Sequence, residues 1–163
     1  DVLQESRLIL AKQGIDHHLL VIGENELKHN PVETETPTLR PAITLAKKSN
    51  IEIYYRLMTV LCLPTRREGL PNVCLEAGAS GIPVITTSAT GAVDSVAPGV
   101  TGWVVPMNSP TALAQAMKDC LTQSAKRRAF SRMSRSWVQL RFSKELVCDA
   151  YSSHYAKLQT KKT

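Results

Sequence analysis

Aromatic residues are scarce in this chain: Phe, Trp and Tyr make up 5% of its 163 residues. Proteins that hold single-stranded nucleic acid need aromatic faces interleaved with basic side chains. That platform is missing, so no nucleic-acid partner is expected. No apolar run approaches the roughly 18 residues of a membrane span, and nothing at the N-terminus reads as a signal peptide. Internal repeats and low-complexity stretches are absent. The four cysteines, Cys62, Cys74, Cys120 and Cys148, are scattered, and no two stand close enough to form a metal-binding pair. They are expected to be reduced structural thiols in a cytoplasmic protein. His17, His18, His29 and His154 also lack metal spacing and an identifiable nucleophile partner; His17 and His18 read as a strand entrance.

Acidic residues are few at the C-terminal end, where Lys126, Arg127, Arg128, Arg132, Arg135, Arg141, Lys144, Lys157, Lys161 and Lys162 account for much of the net charge of +6. Two readings stand open. The cations are a solvated helical face, or they attract an anionic surface such as a phospholipid headgroup layer. Length fits one domain, at roughly 100–200 residues each. An apolar fraction of 43% and a charged fraction of 21% are ordinary for a soluble globular protein. The chain begins at Asp1 rather than Met, as a fragment or a processed piece would.

The most informative stretch is Glu68-Gly69-Leu70-Pro71-Asn72-Val73-Cys74-Leu75-Glu76, directly after the apolar run Thr59–Pro64. A strand runs into a Gly/Pro turn, the turn opens a helix, and one carboxylate lies on either side of the helix start. A helix N-terminus attracts phosphate through its free N–H groups and its dipole. The carboxylates would repel phosphate, but they accept hydrogen bonds from hydroxyls. A ligand with a diphosphate in the middle and polyols at both ends fits that arrangement. A nucleoside-diphosphate sugar is such a ligand.

The remaining pattern supplies a frame. Helical spacing covers Val2–Lys12 and stops at Gly14. Leu19–Ile22 and Ala42–Leu45 read as strands, with a loop over Glu24–Arg40, which Pro31 and Pro37 interrupt. A short helix is predicted over Ile51–Met58, then a buried strand at Val60–Leu63 and a helix at Asn72–Ser80, with Asn72 as a candidate N-cap. Strands at Pro83–Thr86 and Gly102–Val105 flank a short helix at Gly91–Val96. Helices follow at Thr111–Leu121, capped by Ser109-Pro110, at Ser124–Leu140 and at Ser143–Lys157. Short apolar strands alternating with helices imply a parallel sheet covered on both faces. Ligands of such sheets bind beyond the carboxyl ends of the strands, where residues 64–72 and 86–92 should meet.

The stretch Leu63-Pro64-Thr65-Arg66-Arg67-Glu68-Gly69-Leu70-Pro71-Asn72-Val73-Cys74-Leu75-Glu76-Ala77 resembles the donor-site signature of family 4 (group 1) glycosyltransferases, retaining enzymes of the GT-B fold. The resemblance continues through Gly81-Ile82-Pro83-Val84-Ile85-Thr86-Thr87, Thr90-Gly91-Ala92-Val93-Asp94 and Gly99-Val100-Thr101-Gly102-Trp103-Val104-Val105-Pro106. Trp137, Phe142 and Tyr151 are similar to the family's C-terminal landmarks. A lone Glu-x7-Glu is a weak signal, and the neighbouring motifs make it specific. The resemblance implies that Glu68 contacts donor-sugar hydroxyls and helps to stabilise the transition state, while Glu76 holds the ribose hydroxyls. Main-chain N–H groups around Gly69, Leu70, Asn72 and Val73 would face the diphosphate and sugar; Pro71 has none to offer. The family needs no metal and no cofactor.

Two departures from the family pattern stand out. The family's earlier strand, Gly-Arg turn and following Lys, which bind the diphosphate, should lie just before Asp1. Ala46 occupies a position where the family often has Gly, in the segment leading to the base pocket. Arg67 and Lys47 are candidate phosphate and base contacts. The resemblance thus implies a Rossmann-like parallel α/β domain with C-terminal helices over residues 1–163, one half of a GT-B fold. An N-terminal acceptor domain and a first strand segment would lie upstream. The expected reaction moves a hexose from a nucleoside-diphosphate sugar, a UDP-sugar by preference, to a saccharide or lipid-linked acceptor in polysaccharide assembly. The enzyme would be cytoplasmic, with peripheral contact to the inner membrane face, and this piece alone would bind donor weakly and transfer nothing. Two alternatives remain: a sugar-nucleotide epimerase of the same fold, and a non-catalytic sugar-nucleotide-binding module.

Overall fold

The computed structural model describes residues 1–23 and 39–160. Of the expected loop over Glu24–Arg40, residues 24–38, with His29, lie outside the described residues, as do Lys161 and Lys162. Helix α1 (Val2–Lys12) is capped by Asp1, whose carboxylate accepts from the Leu3 N–H at 2.8 Å. Strands β1 (Leu20–Ile22) and β2 (Ile43–Leu45) follow, then helix α2 (Ile51–Tyr55), strand β3 (Leu61–Leu63) and helix α3 (Asn72–Ala79). Strand β4 (Val84–Thr87), a single 3-10 turn at Val93–Ser95 and strand β5 (Gly102–Val105) lead to three helices. These are α4 (Pro110–Thr122), α5 (Ser124–Phe142) and α6 (Lys144–Thr160). Ser109 caps α4 and Pro110 occupies its first turn, where a missing N–H costs nothing.

All strand pairs are parallel. They form two hydrogen-bonded sets among the described residues, β1-β2 and β3-β4-β5. Side chains of a strand point alternately to opposite faces, and here both faces are covered. Ile85 packs into a cluster with Leu10 of α1 and Leu113, Met117 and Cys120 of α4, joined by Cys62 and Trp103. Its neighbour Val84 turns the other way, into a cluster with Tyr55 of α2 and Cys74 and Ala77 of α3, joined by Leu61, Leu63 and Val104. Burial on both sides is why these strands read as unbroken apolar runs. Helix α5 lies outside α3. Ser134 donates to the Thr101 carbonyl at 2.9 Å and Ser131 donates to that of Gly81.

A buried arginine, 2% exposed, ties α1 to the chain entering β2. Arg7 donates to the Arg40 carbonyl at 2.6 Å, to Gln4 at 2.9 Å and to His17 at 3.4 Å. Arg40 in turn grips Asp16 with two bonds of 2.6 and 2.7 Å.

Four expectations need adjustment. The predicted helix over Ile51–Met58 stops at Tyr55, because residues 56–58 turn into β3. The predicted helix over Gly91–Val96 shrinks to one 3-10 turn, since Val96 is already extended at φ −139°. Ser143 stands outside α6 and caps it, accepting from the Leu146 N–H at 3.4 Å. Asn72 is the first helical residue of α3, and Pro71 holds the cap position without a side-chain hydrogen bond. No helix among the described residues is long and apolar enough to cross a membrane.

Candidate functional site

Because β3 and β4 run parallel, the segments that follow them emerge at one edge of the sheet. Side chains and backbone fasten the two segments together. Thr87 donates to the Thr65 carbonyl at 2.5 Å, and the Glu68 N–H donates to the Thr90 carbonyl at 3.3 Å. Thr65 also folds its own loop, accepting from the Arg67 N–H at 3.3 Å and donating to the Arg67 carbonyl at 3.1 Å. Gly91 backs directly onto the Glu68-Gly69 peptide with a φ of +77°, a conformation that suits glycine. The expectation that residues 64–72 and 86–92 meet is met.

The loop then turns into α3 at Pro71. The N–H groups of Gly69, Leu70, Asn72 and Val73 find no protein acceptor among the described residues. A bare helix start of this kind concentrates partial positive charge. Glu68, half-buried, precedes it, and exposed Glu76 lies one turn inside the helix. Below them Cys74 is fully buried. Burial pushes its thiol up to about 11; a Ser95 hydrogen bond opposes the rise and the Glu68 charge adds to it. Glu68 thus lies close enough for its charge to reach the first turn of α3.

Glu76 is held. Its Oε2 accepts a 2.8 Å hydrogen bond from the hydroxyl of Tyr55, a residue only 3% exposed. Burial, and then the bond to this carboxylate, raise the Tyr55 pKa, so the phenol remains protonated and remains a donor.

The other expected residues are less engaged. Arg66 donates to the Asn108 side chain at 2.9 Å, across the edge in the segment after β5. Exposed Arg67 forms no side-chain hydrogen bond or ion pair with another described residue, and its charge is free for a ligand. Lys47 stands exposed beyond β2, and no contact among the described residues brings it to the start of α3. Sequence reasoning missed Tyr55 and the part of Gly91 in seating the loop. Tyr55 offers no local signal, because its partner is on another helix.

Among the described residues, cavities of about 500 and 330 Å³ lie elsewhere. One is bounded by α1 and Arg40, the other by Gly81 and Arg135. The two glutamates stand on an open edge outside both. Among the described residues no three His, Cys, Asp or Glu side chains gather as a metal site.

A family model described as "Glycosyl transferases group 1" matches residues 1–123. The capsular polysaccharide biosynthesis glycosyltransferase CapM of Staphylococcus aureus is 33% identical over 158 residues, 95% of this chain and 41% of that sequence. Among solved structures, sucrose-phosphate synthase from Thermosynechococcus elongatus superposes with a TM-score of 0.80 at 24% identity. The match covers 98% of this chain and 43% of the synthase. Anabaena HepE, solved in complex with UDP and glucose, gives a TM-score of 0.78 at 17% identity over 93% of this chain and 44% of HepE. The chain therefore spans less than half the length of each of these proteins.

Proposed function

The chain belongs to the group 1 glycosyl transferases, and from that premise we propose that it is the donor-binding half of a retaining enzyme that moves a hexose from a UDP-sugar to a saccharide or lipid-linked acceptor. Its fold is one Rossmann-like half of a GT-B architecture. A second, N-terminal domain would supply the acceptor site, and a strand and basic turn expected just before Asp1 would add cations to the diphosphate. The observation that carries the reading is the run of unpartnered N–H groups at Gly69, Leu70, Asn72 and Val73, set between two carboxylates.

In this reading the diphosphate rests on the start of α3. Negative charge that develops on the leaving diphosphate meets preorganised N–H donors and the helix dipole, with Arg67 near enough in the loop to add a cation. Glu76 accepts from the ribose hydroxyls. Glu68 accepts from hydroxyls of the sugar and stabilises the positive charge that grows on its ring. Fixed dipoles take the place that a divalent cation holds in other phosphate-transfer sites, so EDTA should leave the rate unchanged. That HepE was solved with UDP supports a uridine nucleotide, and the polysaccharide role printed for CapM supports a saccharide acceptor.

The proposed setting is the cytoplasm, with the exposed cations Arg128, Arg132 and Arg141 of α5 drawn to anionic lipid. Sedimentation with anionic and neutral vesicles tests that contact, and equal or absent binding to both removes it. For the site itself the test is calorimetry with UDP on wild type and Glu76→Ala. Loss of two charge-assisted hydrogen bonds should weaken binding at least about tenfold. Equal affinities would remove the ribose assignment.

A further inference from the structure

A glutamate on a helix surface has several rotatable bonds, and holding its carboxylate toward a ligand costs side-chain entropy. In this protein the ordering is done before any ligand arrives. Tyr55 is rooted in the core: its ring packs with Cys74, Ala77, Val84 and Val96. Only the hydroxyl reaches outward, and it meets Glu76 Oε2 at 2.8 Å. The next acceptor, the Val73 carbonyl, is 3.5 Å away, too far to compete. The bond joins a neutral donor to a carboxylate, a pairing about twice as strong as one between neutral groups. Glu76 Oε1 has no protein partner among the described residues. A carboxylate has about four acceptor positions, so both oxygens can still receive hydroxyls while one is fixed.

We propose that Tyr55 is a positioning residue that sets nucleoside preference by aiming the Glu76 carboxylate at a vicinal diol. The inference rests on the ribose role proposed for Glu76. Tyr55 touches no ligand. It makes the diol contact cheaper to form, so its removal should weaken a nucleotide that carries both ribose hydroxyls and spare one that lacks them. A purely structural tyrosine would weaken both alike.

The experiment is calorimetry on the intact protein with UDP and with 2′,3′-dideoxy-UDP, comparing wild type, Tyr55→Phe, Glu76→Ala and the double variant. Tyr55→Phe should lower the preference for UDP about three- to tenfold and leave dideoxy-UDP affinity unchanged. In the Glu76→Ala background Tyr55→Phe should add nothing, because the hydroxyl acts only through that carboxylate. If Tyr55→Phe keeps the full preference while Glu76→Ala abolishes it, the positioning role fails and the ribose reading survives. If Tyr55→Phe weakens both nucleotides equally, the role is structural and the inference is wrong. If wild type binds the two alike, or binds neither, the ribose reading falls and takes the inference with it.

Discussion

A Cβ placed on Gly91 would lie 1.4 Å from the carbonyl oxygen of Gly69 and 2.5 Å from that of Glu68. Neither obstacle is a flexible side chain, so the loop carrying Glu68 must move if residue 91 carries any side chain. The φ of +77° at Gly91 adds strain for an alanine. A displacement of about 1 Å at a reacting group can cost a hundredfold in rate. Gly91→Ala should therefore lower kcat by at least about tenfold and reduce Tm by several degrees. Steady-state kinetics of the full-length enzyme and a thermal melt check both. An unchanged kcat in a folded variant would mean that the loop seat does not govern Glu68.

Glu68→Gln separates transition-state stabilisation from ground-state binding. Glutamine keeps the size of the side chain and one acceptor, and loses the charge that would face a growing cation on the sugar ring. Removal of one such stabilising group typically costs about 10²–10³ in kcat. UDP contains no transferred sugar, so its affinity should stay within about twofold. Kinetics of the full-length enzyme with a UDP-sugar and calorimetry with UDP read the two quantities. A matching fall in UDP affinity would move Glu68 from the sugar to the nucleotide.

Much of the frame was legible because its signals are local. The strands around Leu61, Val84 and Trp103 are short apolar runs, each with Gly or Pro at one end or both, and Ser109-Pro110 marks a helix start by chemistry that needs no partner. The glutamates were legible because eight residues of spacing and a Gly/Pro turn fix a loop-to-helix geometry. What escaped depends on distant segments. Tyr55 and Glu76 meet only because α2 and α3 cover the same face of β4. The apolar residues of 51–58 suit a longer helix, but Met58 is used against the core in a turn that enters β3. Pro71 holds the cap position expected of Asn72 because its carbonyl already accepts from the Cys74 N–H at 3.0 Å, at the very start of the helix.

Buried thiols give the fold an alkaline limit. Burial pushes Cys62 up to about 12, and Cys74 and Cys120 up to about 11, from an ordinary 9.0. Tyr55 is shifted in the same direction. The folded chain holds these protons above the pH at which the unfolded chain releases them. Their contribution is complete below about pH 9 and is lost as pH rises through the folded values. The denaturant midpoint should fall between about pH 9 and 11. Exposed Cys148 should react with a thiol reagent at pH 8 well before the others, in keeping with its access to solvent. Fast labelling of Cys74 or Cys120 in the folded protein would contradict this account.

The seat of α3 against α5 is tight at one point. A Cβ on Gly78 would come within 2.8 Å of Val138 Cγ2, and valine in a helix has essentially one rotamer, so it cannot swing aside. Overpacking of this kind costs about 1–3 kcal/mol, against a gain of about 1 kcal/mol in helix propensity from alanine. Gly78→Ala should be net destabilising. Val138→Ala should also destabilise, by leaving a void beside Gly78. In the double variant the new methyl group enters that void, so the two losses should not add; a coupling of about 1–2 kcal/mol is expected from denaturant titrations of the four proteins. Because α3 carries both the unpartnered helix start and Glu76, the proposed UDP affinity should follow the same pattern, reduced in Gly78→Ala and recovered in the pair. Strict additivity in stability would show that the helices separate freely to admit the methyl group. The position of α3, and with it the proposed donor edge, would then not be set by its contact with α5.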